Sequence, residues 1–271
     1  RQARIVVTSR PPAYGGEAVI PGFTTVQIGP LQDDAIDTFL GNWCRLLYPE
    51  SAESAAKHRQ ELQAEIGSRP EIRDMAVNPV MLTALAVVHW NEKRLPDQRA
   101  ELYEAVLRWL ARRREERTAL VRAERCLDFM AQLAYTMHTE PAGKKVEIGS
   151  YAAARAIAPR FRDLPEEERI PAAEQLLADE EVHSGIIVRR GEHLKFWHQT
   201  FQEYLSARAV AGKEPEWPRL LVEEEKAYLP EWRETVLLLA GVLHSQSPDR
   251  VDGLVKVVLD ELRDGASLRD C

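Results

Sequence analysis

Apolar residues recur at three- and four-residue spacing through most of the chain after residue 30, which is the pattern of helices with one buried face. The clearest run lies between Leu31 and Leu47, and Ser51, Ser150 and Pro165 mark further helix starts. With 271 residues and a hydrophobic content of 45%, the chain is long enough to bury a sizeable core. We therefore expect a mainly α fold with a small β component.

The β component is expected in two places. Ile5 to Val7 form a continuous β-branched run, typical of a parallel strand covered on both faces, and Thr24 to Ile28 predict a second strand. Farther along, GIIVRR and LKFW flank the turn residues GEH and predict a hairpin. Because short helices precede this hairpin, the region is expected to be a winged-helix domain.

Two stretches around the predicted helix starts carry polar signals. In NPVMLTALAVVHW, Asn78 is a good N-cap, and Pro79 suits the first helical position, where its missing N–H costs nothing. Thr200 and Glu203 fit a capping box, which would place His198 between a strand and the positive end of a helix. There the imidazole could reach an anion, or it could simply bond to a backbone carbonyl of the hairpin.

The C-terminal part predicts two more helices. The stretch EWRETVLLLAGVL is nearly apolar all round, so its helix should be deeply covered. A second helix is expected to start at Ser247 and Pro248 and to bury a stripe from Val251 to Leu262. Such a pair could open a helical repeat array, although one pair cannot establish a period.

Composition excludes several classes of protein. The formal net charge of −7 argues against a chain that mainly coats nucleic acid. The three cysteines have neither disulfide-framework nor zinc-site spacing, and the longest apolar runs are too short to cross a bilayer. With no signal peptide in view, the sequence predicts a soluble cytoplasmic protein without a metal site and without a membrane partner.

Three stretches, taken together, resemble NACHT-family NTPases of the STAND class, the nucleotide switches of NOD-like receptors and their bacterial relatives. They are RIVVTSRP, NPVMLTALAVVH with LPDQRAELYEAVL, and LKFWHQTFQEYLSARAV, which follow one another in the family's order and spacing from Arg4 to about Val210. The resemblance implies four parts: the C-terminal end of a NACHT nucleotide-binding domain (1–30, a remnant of its parallel α/β sheet), helical domain 1 (31–95), a winged-helix domain (96–214) and a C-terminal helical, repeat-like region (215–271).

The resemblance also implies three nucleotide-binding residues. Arg10 matches the sensor arginine at the end of a sheet strand, where its guanidinium would report the terminal phosphate. Pro79 matches the proline that packs on the adenine ring, and His198 matches the winged-helix histidine that contacts the β-phosphate of ADP. No catalytic residue is assigned to this chain.

The implied function is a switch that is closed with ADP and open with ATP, and that controls self-association in response to an unknown ligand or protein. The sequence contains neither a GxxxxGK[ST] phosphate loop nor an acidic Walker B strand before Arg4. The chain alone is therefore expected to be inactive, and ATP, ADP and Mg²⁺ are expected only in an intact parent protein. Bacterial relatives with a segment like FWHQTFQEYL are often antiphage defence proteins, so the resemblance extends the expectation to a bacterial origin and to defence.

Two other classes of protein remain open at the sequence level. A winged-helix transcriptional regulator could contact DNA phosphates through Arg155, Arg160 and Arg162 or through Arg189 and Arg190, although acidic residues crowd the same region. A helical scaffold that does not hydrolyse nucleotide would fit the same elements. A hydrolase is disfavoured because the chain has no GxSxG elbow, and its hairpin histidines have no partner at triad or metal spacing.

Overall fold

The computed structural model describes residues 5–7, 20–26, 28–118, 121–141, 143–213 and 219–264. In these ranges the chain is mainly helical with one small antiparallel sheet, as the sequence predicts. The chain has three successive helical parts, described below, and their buried apolar side chains form one continuous core.

Four helices form the first part of the structure. They are α1 (Asp33–Leu47), α2 (Ala52–Ser68), α3 (Pro70–Ala76) and α4 (Pro79–Glu92). The predicted caps are confirmed: the Ser51 hydroxyl accepts from the Ser54 amide at 3.1 Å, and the Asn78 side chain accepts from the amides of Val80 and Met81. Each cap satisfies amides that the first helical turn leaves without a partner.

The middle part has the element order of a winged helix. It comprises α5 (Arg99–Thr118), α6 (Ala123–His138), β1 (Ile148–Gly149), α7 (Ser150–Ile157), α8 (Glu166–Asp179), β2 (Ile187–Arg190), β3 (His193–Phe196) and α9 (Gln199–Ala211). The strands form an antiparallel sheet in the order β1-β3-β2. Gly191 has a φ of 61° in the two-residue turn of the predicted hairpin, a conformation that glycine adopts without strain.

Two helices end the described chain, α10 (Arg233–Gln246) and α11 (Pro248–Asp264). The expectation that α10 is deeply covered holds for the face that carries Leu238, Leu239 and Leu243, which are at most 2% exposed. It fails for the opposite face, because α5, α9 and α11 pack on only part of the helix and leave Leu237 51% exposed. The stripe predicted for α11 is likewise only partly buried. Leu254 is covered, but Val255 and Leu259 face outward because no described element lies over them.

The predicted remnant of a parallel sheet is not formed by the described residues at the start of the chain. Ile5 to Val7 and the described residues of the Thr24 to Ile28 stretch have no strand assignment, and Val6 is 86% exposed. A β-branched run becomes a buried strand only when neighbouring strands pair with its amides and cover its side chains. The described residues supply no such neighbour.

Within the described residues, none of the helices combines the length and the apolarity that crossing a bilayer requires.

His138 lies at the junction of α6 and α10. Because its imidazole is buried and its pKa is low, we expect the protein to lose a measurable amount of stability in acid. Its Nε2 is 3.0 Å from the Thr235 hydroxyl, its ring packs edge-on against Trp232, and burial together with Lys144 and Lys226 lowers its pKa to about 3. The unfolded chain would protonate this imidazole near pH 6.5, so it binds more protons than the folded chain below that pH. Between pH 7 and pH 5, His138 alone should lower the free energy of unfolding by about 2 kcal/mol.

The measurement is urea unfolding at pH 7 and pH 5 for the wild type and for His138→Gln, whose amide can still bond to Thr235. Burial also lowers the pKa of His58 and His89, whose rings lie 4.9 Å apart between α2 and α4, so only the difference between the two proteins isolates His138. His193→Gln, at an exposed position, is the control. An equal acid-induced loss in wild type and His138→Gln would contradict the prediction.

Candidate functional site at the start of α9

The structure describes two of the three residues that the sequence predicts to bind nucleotide, Pro79 and His198, but not Arg10. Arg10 lies outside the described residues. Pro79 is exposed in the first turn of α4, a helix that packs on α1, α3 and α5. His198 is half-buried immediately before α9, which packs on α5, α6 and α10. The structure therefore confirms the local positions of Pro79 and His198 but brings them to different helices of the described chain.

His198 is itself the N-cap of α9. Its Nδ1 accepts from the Thr200 amide at 3.3 Å and lies 2.9 Å from the Thr200 hydroxyl. The predicted capping box is thus wrong: the helix starts one residue before Thr200, and the acceptor is an imidazole nitrogen rather than a threonine oxygen. The other possibility, a hydrogen bond from the imidazole to a backbone carbonyl of the hairpin, does not hold for Nδ1. A carbonyl can only accept, and a ring nitrogen that accepts from an amide has no hydrogen to donate.

The capping box fails because Glu203 is engaged elsewhere. Its carboxylate lies 2.6 Å from Lys144 Nζ and also accepts from Gln199 Nε2 at 3.1 Å. The side chains of Lys144 and Glu203 are only 6% and 8% exposed. A buried ammonium competes for a carboxylate far more strongly than an exposed backbone amide does, so Glu203 turns inward to the loop before β1.

The cap determines which nitrogen of His198 carries the hydrogen. In a neutral imidazole one nitrogen donates and the other accepts, and the hydrogen bond at one nitrogen selects the tautomer. Because Nδ1 accepts from Thr200, the neutral ring has its hydrogen on Nε2. His198 therefore combines a fixed ring orientation with an Nε2–H donor at the positive end of a helix, a combination suited to an anionic oxygen.

A separate cleft of about 850 Å³ opens between α5, α6, α9 and α10, and neither Pro79 nor His198 lines it. One wall carries a polar network centred on Glu104. Its carboxylate accepts from Tyr204 Oη, from Arg208 Nη1 at 2.6 and 2.8 Å, and from Arg108 Nη2 at 2.8 Å. Arg208 also donates to Asp128 of α6 at 3.2 Å, so the network joins three helices.

Charge and burial oppose each other in this network. Burial alone would raise the pKa of the Glu104 carboxyl, but Arg208, Tyr204 and Arg108 outweigh it and hold the pKa below its ordinary value. Burial and the neighbouring Glu104 raise the pKa of Tyr204. The network was not predicted from the sequence, although the spacings Glu104–Arg108 and Tyr204–Arg208 are both (i, i+4) and indicate paired side chains on helix faces.

Two of the arginines named for DNA contact, Arg189 and Arg190, lie close to acidic side chains of the protein itself. Arg189 donates to Glu181 and to the Ser150 hydroxyl, and Arg190 lies 3.3 Å from Glu147. The helix before the hairpin, α8, begins with three consecutive exposed glutamates, at positions 166–168. These carboxylates would repel a phosphate backbone where a winged helix ordinarily approaches it. Arg155, Arg160 and Arg162 are exposed, and Arg160 donates to Gln132 at 3.3 Å. The geometry therefore disfavours DNA contact through the hairpin arginines and leaves contact through these three untested.

No group of three or more histidine, cysteine or acidic side chains within the described ranges is arranged to hold a metal ion.

Comparison with known proteins matches the central part of the chain. Residues 81–210, from the first turn of α4 to the end of α9, match the model of a family described as a winged helix-turn-helix domain C-terminal to NACHT. No curated protein matches the chain. The matched segment contains His198, the Glu104 network and the whole antiparallel sheet. The predicted domain boundaries stay predictions.

Proposed function

Residues 81–210 of this chain are a winged-helix domain of the kind that lies C-terminal to NACHT domains, and we propose that the chain is the regulatory part of a NACHT-type ATPase switch. In this proposal ADP ties the winged helix to the nucleotide-binding domain. Exchange of ADP for ATP releases it and exposes surfaces for self-association. An unidentified ligand or protein would trigger the exchange, in the cytoplasm and in the setting of antiphage defence.

The observation that carries the proposal is the geometry of His198. Its Nδ1 caps α9, which fixes the orientation of the ring and places the ring hydrogen on Nε2 at the start of the helix. A hydrogen bond from this donor to the β-phosphate of ADP would be assisted by the phosphate charge and by the helix dipole. Such a bond contributes about 1.5–3 kcal/mol, which biases a two-state arrangement of domains by one to two powers of ten.

Two further contacts complete the proposed nucleotide site. The exposed ring of Pro79 offers an apolar face that adenine could pack against, with φ restricted by the ring and no N–H to leave without a partner. Arg10 would contact the terminal phosphate and distinguish ATP from ADP. A closed state of the parent protein would have to bring α4 and α9 to the same nucleotide.

The test uses the natural protein in which this chain is joined to a complete NACHT domain. His198→Asn is the informative variant, because the asparagine oxygen can still cap α9 while the Nε2–H donor is lost. We expect about 10- to 100-fold weaker ADP retention and more self-association or basal activity than in the wild type. The measurement is the off-rate of labelled ADP together with the oligomeric state.

His193→Asn, in the same hairpin but exposed on β3, is the matched control and should retain ADP like the wild type. Unchanged ADP retention in His198→Asn would remove His198 from the mechanism. Purified protein that contains no nucleotide and binds none would instead support the scaffold alternative.

A further inference from the structure

The connector between α4 and α5 is held by two side chains at the end of α2. Residues 93–98, all of which the structure describes, form neither helix nor strand. Arg69 Nη1 donates to the backbone carbonyls of Leu95 at 3.1 Å and Pro96 at 3.0 Å. Glu65 Oε2 accepts from the Leu95 amide at 2.7 Å. We call Arg69 and Glu65 the connector clamp.

The two members of the connector clamp are also bonded to each other. Arg69 Nη2 donates to Glu65 Oε2 at 3.1 Å, the same oxygen that accepts from the Leu95 amide. Arg69 Nη1 also donates to Asp97 Oδ1 at 2.7 Å. The side chains of Arg69 and Glu65 are only 24% and 29% exposed, so solvent screens their attraction in part. The planar fork of a guanidinium suits this task, because it presents several N–H groups in fixed directions.

The connector clamp lies beside the junction between the first four helices and the winged helix. Among the described helices, the packing of α4 on α5 is the main contact across this junction. The Leu95 side chain is fully buried there and belongs to the continuous core. Apolar packing is not directional, whereas hydrogen bonds weaken steeply when their angles change. The connector clamp is therefore placed to determine the angle between the two parts.

We propose that Arg69 and Glu65 are positioning residues, which fix the orientation of the winged helix relative to α1–α4 in the state that retains ADP. The inference rests on the proposed function, which requires α4 with Pro79 and α9 with His198 to meet the same nucleotide. A ligand that contacts both helices is held well only while their separation is fixed. Opening the connector clamp would let the two helices part, and ADP would dissociate faster.

The first test measures hydrogen exchange of the connector in the natural protein that contains the complete NACHT domain. Glu65→Met removes the acceptor of the Leu95 amide, which should exchange about 10- to 100-fold faster in peptides that cover residues 93–98. Arg69→Met leaves this acceptor in place. It should still speed the exchange by about 3- to 10-fold, because the connector carbonyls lose their donor and Glu65 loses its partner.

Arg73→Met is the matched control, because Arg73 pairs with Asp33 of α1 and is 47% exposed. The connector should exchange in this variant as in the wild type. Peptides from α6 are the internal reference for general stability. If α6 and the connector exchange faster by the same factor in Arg69→Met, the variant destabilises the whole protein and the connector clamp is overturned. Wild-type exchange of the connector in Arg69→Met would overturn it as well.

The second test measures the off-rate of labelled ADP in the same protein. Arg69→Met should raise this rate by about 3- to 10-fold, whereas Arg73→Met should leave it unchanged. Arg69→Lys keeps the charge but replaces the fork by a single nitrogen, so it should release ADP nearly as fast as Arg69→Met. A wild-type off-rate in Arg69→Lys would show that charge alone is sufficient and would overturn the positioning role.

The outcomes separate this inference from the proposed function. If His198→Asn raises the ADP off-rate and Arg69→Met leaves it unchanged or lowers it, the switch stands and the role of the connector clamp falls. If neither variant changes the off-rate, the proposed function falls together with the control of ADP by the connector clamp.

Discussion

Replacing Lys144 by methionine is expected to destabilise the protein by about 3–5 kcal/mol, because it leaves the Glu203 carboxylate buried without its counter-ion. The two groups lie 2.6 Å apart, and their side chains are 6% and 8% exposed. Gln199 remains as a donor to Glu203, but one neutral hydrogen bond does not offset the cost of burying a charge. Urea unfolding at pH 7 measures the effect.

Two comparisons make this experiment specific to burial. The double variant Lys144→Met, Glu203→Leu should recover most of the lost stability, because replacing both members of a buried ion pair by apolar groups is often neutral. Lys57→Met should change stability by less than about 1 kcal/mol, because its partner Glu61 is 4.0 Å away and both side chains are exposed. A similar loss in Lys57→Met and Lys144→Met would contradict the role given to burial.

Replacing Glu104 by glutamine is expected to cost about 2–4 kcal/mol of stability, since two guanidinium groups and a phenol share its carboxylate. The amide keeps the shape of the side chain but loses the charge, and its NH₂ group cannot accept. Arg208 would still donate to Asp128, so its guanidinium would not be left without an acidic partner. The expected loss is therefore smaller than for a buried charge that has lost its only counter-ion. Thermal or urea unfolding measures the effect.

Glu124→Gln is the matched control for this network. Glu124 lies 2.9 Å from Arg108 Nε and 3.7 Å from Arg208 Nη2, but its side chain is 58% exposed. Solvent screens such a pair, so the expected change is below about 1 kcal/mol. Losses of the same size in Glu104→Gln and Glu124→Gln would show that charge number, rather than burial, determines the strength of the network.

Local features of the fold follow from neighbouring residues and could be predicted. Ser51, Asn78 and Gly191 act through hydrogen bonds or backbone angles that span four residues at most, and each lies where its pattern predicted. The order of short helices followed by a hairpin indicated the winged helix for the same reason. The position of His198 between β3 and α9 was predictable too, because both flanking elements carry their own signals.

The predictions that failed all depended on partners distant in sequence. The hydrophobicity of α10 and of Ile5 to Val7 indicates a preference for burial, but only the packing of other elements decides whether a surface is covered. Likewise, nothing within four residues of Thr200 shows that Lys144 will pair with Glu203. This ion pair keeps the Glu203 carboxylate away from the backbone amide that a capping box requires.

The sequence by itself therefore determined the starts of α2 and α4 and the turn of the hairpin, because these caps and this turn are satisfied within one helical turn. Tertiary structure alone decided which charges meet: 59 residues separate Lys144 from Glu203, and 104 separate Glu104 from Arg208. Coulomb attraction and desolvation depend on distance in space and on the surrounding dielectric, which a one-dimensional pattern does not contain.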